Sequence, residues 1–409
     1  MTRHLIASVI VIAFAASAFA DDFSPALQGI SSPNPATVKN SEQALRNAGP
    51  DGLNALLALY DRTSDSRLIP AIDAVAGQYD AVWSRLYWYT DLPAAEAAAR
   101  AQGRPILYLR LLGNLTDEYS CANSRFFRTV LYANTNVSRF LRDNYVLVWQ
   151  SERPVPVMTI DFGDGRVLKR TITGNSIHYV LDLNGHVIDA LPGLYDPTRF
   201  LSILERARYN AGGSPGQSYV DRADDQLLRD YQAALQLAGL PSPGDPNAPG
   251  VNLDAARAMP IAAGKGIIES PLLRQVSPAF AAELDKSIES ANADVWNRLA
   301  ANCCVHLDDN SIALIRSQNP SAYDQPGALQ KTVQQFQQLI ALDTVRNDYL
   351  LRRQILGWLR QDPSIELPRL NARVYSQLFL TPRSDPWLGM VPPDSYSALT
   401  CNGCLALAK

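Results

Sequence analysis

The spacing of apolar residues changes twice along this chain and divides it into three parts. From residue 41 to 88 the period is helical. Leu53, Leu56, Leu57 and Tyr60 recur at i, i+3, i+4 and i+7, and Pro50-Asp51-Gly52 reads as a helix start. A second helix is expected over about 70–88. Residues 23–40, rich in Ser, Pro and Asn, read as a mobile leader. Together these residues make a helical preface that looks too short to be a domain of its own.

From residue 88 the pattern is different. Residues 94–102 are strong helix formers, stopped by Gly103 and Pro105. Residues 106–112 (ILYLRLL) are almost continuously apolar, which suits a strand buried on both faces. A loop, a helical stretch over 121–143 and a second buried strand over 145–149 follow. Two alternating runs, 157–162 and 167–173, meet at Asp164-Gly165, a strong hairpin signal. A strand over 177–183, a turn at Asn184-Gly185, a strand over 186–191 and a helix over 196–207 complete the unit. A parallel βαβ start and a ββα finish make it α/β in class.

Residues 210–218 and 240–250 are Pro/Gly linkers on either side of one helix, 219–238. Beyond them the pattern is helical again. Val333, Phe336, Leu339 and Ile340 form one stripe, Asp308-Asp309 reads as a helix cap or a solvated pair, and no repeat period is present. The chain ends in a Pro-rich loop, 380–393, a short helix and the tail Cys401-Asn402-Gly403-Cys404.

The N-terminus adds a compartment. Arg3 and His4 precede an apolar run over 5–14 and then Ala18-Phe19-Ala20, the order of a cleaved secretory signal. The expectation is an exported protein, periplasmic or extracellular. Its parts are a signal peptide (1–20), leader and helical preface (21–87), α/β domain (88–208), linker with one helix (209–252) and helical C-terminal region (253–409). Loss of Arg3 with the signal moves the formal charge from −3 to −4. Neither a basic block nor a second long apolar stretch is present, so nucleic acid and membrane insertion are not expected. The oligomeric state is left open.

The α/β region carries a resemblance. A Trp-Tyr element, then RPILYL, then a cysteine opening a helix, then YVLVWQ, then HYVLDLNGHVIDALPG is similar to the thioredoxin-like superfamily, in particular to thioredoxin-related domains of exported bacterial proteins. The resemblance covers about residues 88–208. It implies a central mixed sheet, here with a hairpin insert, flanked by N- and C-terminal all-α regions. It also implies dithiol chemistry at a C-x-x-C motif on a helix N-terminus. Cys121 holds the first position of that motif, but Ser124 holds the second, and a serine cannot resolve a mixed disulfide. The superfamily's cis-proline position falls on Ser176.

Two readings of Cys121 stand side by side. In one it is a monothiol that forms mixed disulfides with protein thiols, favoured as thiolate by the helix N-terminus with Arg125 and Arg128 near by. In the other it is a small buried hydrophobe in a non-catalytic scaffold that binds a protein partner. His178, in register with Ser176, either faces Cys121 or is a packed, hydrogen-bonded core residue. Cys401 and Cys404 are either an external resolving pair or a structural disulfide with Cys303 or Cys304. No cofactor is expected, and the Cys303-Cys304-His306 spacing matches no usual zinc pattern.

Overall fold

Proline and asparagine start the N-terminal helices where a loose leader was expected. The computed structural model describes residues 23–171, 174–211, 217–241, 294–386 and 388. The expected signal peptide, Cys401 and Cys404 lie outside them. Helix α1 is Ser24–Ile30, and α2 is Pro35–Asn47, where Asn34 Oδ1 accepts the Ala36 N–H at 2.9 Å and Pro35 pre-sets the first turn. With α3 (Pro50–Thr63) and α4 (Ile69–Ala76) they bury Leu45, Leu53, Leu56, Ile72 and Val75 in an apolar cluster of their own.

The single helix expected over 70–88 does not form. Gly77 caps α4 in the left-handed region at φ +70°, and a Cβ there would come within 2.9 Å of the Arg46 guanidinium and the Trp88 carbonyl. Arg46 donates to Val75 O (2.7 Å) and Trp88 O (2.8 Å), fastening the preface to the sheet. After α5 (Ala81–Ser84), Trp88 and Tyr89 are strand β1, not a helix end.

The five-stranded sheet has the order β1-β3-β2-β6-β7, with β2 Ile106–Leu112, β3 Val146–Arg153, β6 Ile177–Leu181 and β7 Val187–Pro192. β1, β3 and β2 are parallel, while β6 runs antiparallel to β2 and β7 antiparallel to β6. The near-continuous apolar runs suit strands buried on both faces. The expected hairpin forms a separate two-stranded sheet, β4 (Val157–Asp161) with β5 (Val167–Thr171). Its base is tied down where the Thr171 hydroxyl donates to Ser120 O at 3.0 Å.

The connecting helices are α6 (Leu92–Gln102), α7 (Ala122–Phe126), α8 (Thr135–Asn144) and α9 (Pro197–Asn210). The helix expected over 121–143 is interrupted. After α7 the backbone widens into a π-type turn over Phe127–Tyr132, and Asn134 caps a new helix by accepting the N–H groups of Asn136 (3.1 Å) and Val137 (3.0 Å).

Helix α10 (Gln217–Leu237) leads to the C-terminal helices α11 (Asp294–Ala300), α12 (Asp309–Gln318), α13 (Ala328–Arg346), α14 (Arg353–Gln361) and α15 (Leu367–Arg373). π-type turns over Asn347–Arg352 and Val374–Leu378 follow α13 and α15. Asp308 caps α12 as expected, accepting Ser311 N–H, and also accepts Thr135 N–H from α8. Phe336, Ile340, Trp358 and Val374 belong to the same apolar cluster as the sheet. Among the described residues no helix is long and apolar enough to cross a membrane.

A buried ion pair joins sheet to helices. Arg352 donates in a bidentate fork to Asp189 of β7, Nε at 3.0 Å and Nη2 at 2.7 Å, and Nη1 reaches Asp348 at 3.1 Å. Tyr219 OH donates to Asp189 at 2.7 Å, and Arg199 Nε to Asp348 at 2.6 Å. Removing one partner of such a pair strands a charge in the interior. Arg352→Ala should therefore lower the unfolding free energy by about 3–5 kcal/mol, read from the denaturant midpoint at unchanged slope. A loss below about 1 kcal/mol, the range of an exposed pair, would refute this role.

Candidate functional site

Cys121 sits where β2 gives way to α7. Its N–H donates to Leu112 O at 3.2 Å, and its extended backbone (φ −58°, ψ 154°) makes it the N-cap. The sulfur accepts the Ser124 N–H at 3.4 Å. Ser124 is not poised toward the thiol. Its Oγ donates within the turn, with Ser120 Oγ at 2.6 Å and Cys121 O at 2.9 Å.

The thiol is sealed. Cys121 has 0% of its surface exposed. Gly174 rests directly on it, and a Cβ at that position would come within 2.4 Å of Cys121 Cβ and 2.9 Å of Ala122 N. The neighbouring Asn175 is held by the C-terminal region. Its carbonyl accepts Tyr375 OH at 3.1 Å, and its side chain donates toward Phe379 O and Thr381 Oγ1, both at 3.4 Å. On the far side Phe126 packs on Phe336 of α13, ring centroids 4.9 Å apart.

His178 belongs to an aromatic interior. Its Nε2 bonds the Tyr132 hydroxyl at 2.6 Å, and Phe127 and Phe200 flank the ring at 4.7 and 5.3 Å between centroids. Burial lowers the imidazole pKa to about 3, so it is neutral at physiological pH and supplies no cation to a thiolate. Its Nδ1 and the Ser176 hydroxyl, both buried, have no hydrogen-bond partner among the described residues. Burial raises the Tyr132 phenol well above its ordinary value.

The other candidates are spread apart. The Arg125 guanidinium donates to Thr171 O at 3.4 Å, and that of Arg128 to Asp117 O (3.0 Å) and Glu118 O (3.1 Å), so both brace loops. Cys303 is half-buried, with its thiol pushed up to about 11 chiefly by burial, and Cys304 is exposed. Among the described residues no disulfide and no group of side chains suited to a metal ion is present. Sequence reading missed Gly174, Tyr132 and Tyr375. A glycine just before a buried strand is the one local signal that pointed to any of them.

Comparison with protein-family models, curated proteins and solved structures finds no match. The chemistry therefore rests on geometry. Mixed-disulfide formation needs a partner sulfur in line with Cys121, and the buried thiol offers no such approach.

Two outcomes follow. Gly174→Ala has no room for its methyl group and should cost about 1–3 kcal/mol of stability, measured by chemical unfolding. A neutral variant would show that the 174–176 loop does not pack on the thiol. For His178 the folded pKa is depressed, so the unfolded chain takes up a proton below pH 6.5 that the folded chain refuses until about pH 3. Stability is intact above pH 6.5 and declines as the pH falls toward 3. His178→Gln should flatten that decline; an unaltered slope would place its origin elsewhere.

Proposed function

We propose that this is an exported protein in which residues 88–208 form a thioredoxin-like domain kept as a non-catalytic scaffold for protein binding in the cell envelope. The observation that carries the reading is the burial of Cys121 beneath Gly174, with the covering loop pinned by the C-terminal helices. The domain assignment is supported by the sheet order β1-β3-β2-β6-β7, with three parallel strands and two antiparallel ones, and by a cysteine capping the helix after β2. The signal-like sequence 1–20 supports export. Binding has an exposed apolar surface to draw on. Val157, Phe162 and Val167, at 46%, 43% and 50% exposure, stand on or beside the strands of the β4–β5 hairpin.

One observation favours a second reading, a monothiol that forms mixed disulfides with protein thiols. The Cys121 sulfur stands at the start of α7 and accepts the Ser124 amide at 3.4 Å. The two readings differ in reactivity. Folded full-length protein treated with iodoacetamide at neutral pH and then peptide-mapped should show Cys121 unmodified, with labelling only after unfolding in guanidinium. Labelling of folded Cys121 at the rate of free cysteine overturns the scaffold and establishes the monothiol.

A further inference from the structure

Helices α9 and α10 wall a cleft of ≈ 380 Å³ whose lining is basic. From α10 the residues Tyr219, Arg222, Ala223, Gln226 and Arg229 share one face at i, i+3, i+4, i+7 and i+10. They look onto Arg199, Arg206 and Asn210 of α9, with Arg352 also in the lining and no carboxylate among the lining residues. Arg199 and Arg352 are neutralised, since both are ion-paired to Asp348, Arg199 also to Asp230 at 3.0 Å and Arg352 to Asp189. The excess charge resides in the other three. Arg222 meets only the amide oxygen of Asn210 (3.0 Å) and Arg229 that of Gln226 (2.8 Å). Among the described residues no carboxylate lies within ion-pairing distance of Arg206, Arg222 or Arg229.

Of the acids close by in sequence, Asp225 and Glu205 are exposed and form no ion pair with these arginines, and three others are engaged elsewhere. Asp221 and Asp224 of α10 bind Arg360 of α14, at 3.1 and 3.0 Å, and Asp230 binds Arg199. The cleft thus gathers three guanidinium groups that no carboxylate pairs directly, and it has the size of a small-molecule site. We infer that this cleft binds a small multivalent anion, bearing a phosphoryl group or several carboxylates, held by the bidentate donors of Arg206, Arg222 and Arg229. This site is independent of Cys121 and of the scaffold reading.

Calorimetric titration of the full-length protein with inorganic pyrophosphate and with citrate, at constant ionic strength set by sodium chloride, tests the inference. Saturable binding of at least one probe is expected. Tighter binding of pyrophosphate assigns a phosphoryl ligand; tighter binding of citrate assigns a polycarboxylate. Arg206→Gln should weaken the preferred probe about tenfold or more, and the Arg206→Gln/Arg222→Gln pair should abolish saturation. Both side chains are exposed, so the variants should unfold at the wild-type midpoint. Arg62→Gln, an exposed arginine on α3, should bind as the wild type does. The site is refuted if neither probe saturates, if the double variant binds unchanged, or if Arg62→Gln weakens binding equally.

Discussion

The fold depends on the carboxylate of Asp189, fully buried in the last strand of the sheet. An ionised carboxylate in that position is tolerated only when every lone pair is engaged and its charge is balanced. Arg352 supplies the balance, Tyr219 supplies a further donor, and Asp348 and Arg199 extend the network. These groups come from the sheet, α9, α10 and the turn after α13. A geometric demand of this kind holds the helical C-terminal region in one register on the sheet, because a displaced Arg352 would leave opposite charges unpaired on both sides.

That registration is what closes the thiol site. With Arg352 docked, α13 brings Phe336 onto Phe126, and the turn after α15 brings Tyr375 onto Asn175. The backbone at Gly174 is then held against Cys121. A dithiol enzyme needs the opposite arrangement, a sulfur open at a helix N-terminus with a second thiol to resolve the intermediate. Here a cysteine caps the helix, but it is closed off from solvent and a serine, Ser124, stands three residues on. The neutral His178, bonded to Tyr132, completes a neutral aromatic wall on the β6 side.

Much of the sheet was legible in the sequence because strands buried on both faces leave long apolar runs, as residues 106–112 and 177–183 do. The hairpin was legible from Asp164-Gly165. The helix after β2 was placed at its start but not at its breaks, since Asn134 and the wide turn over Phe127–Tyr132 lie inside a pattern that still has helical period. Gly77 was hidden in the same way, and a leader rich in Ser and Pro concealed two helices, the second capped by Asn34. Cys121 could be found from a strand handing over to a helix. Its cover could not, because Tyr375 lies 200 residues from Asn175 and Arg352 lies 163 from Asp189. Side-chain period reports the face an element buries, not the distant segment that buries it.

β7 stands at one end of the strand order, yet all six of its residues are buried. Edge strands are commonly protected by charge, bulges or brevity; this one is protected by helices made much later in the chain. Helices α9 and α10 pack on part of this margin, but its cover is complete only when the turn after α13 and α14 exist. Such a chain is at risk of intermolecular strand pairing during its biogenesis until synthesis has passed α14. A shortened product ending after β7 would be an aggregation seed rather than a smaller working protein.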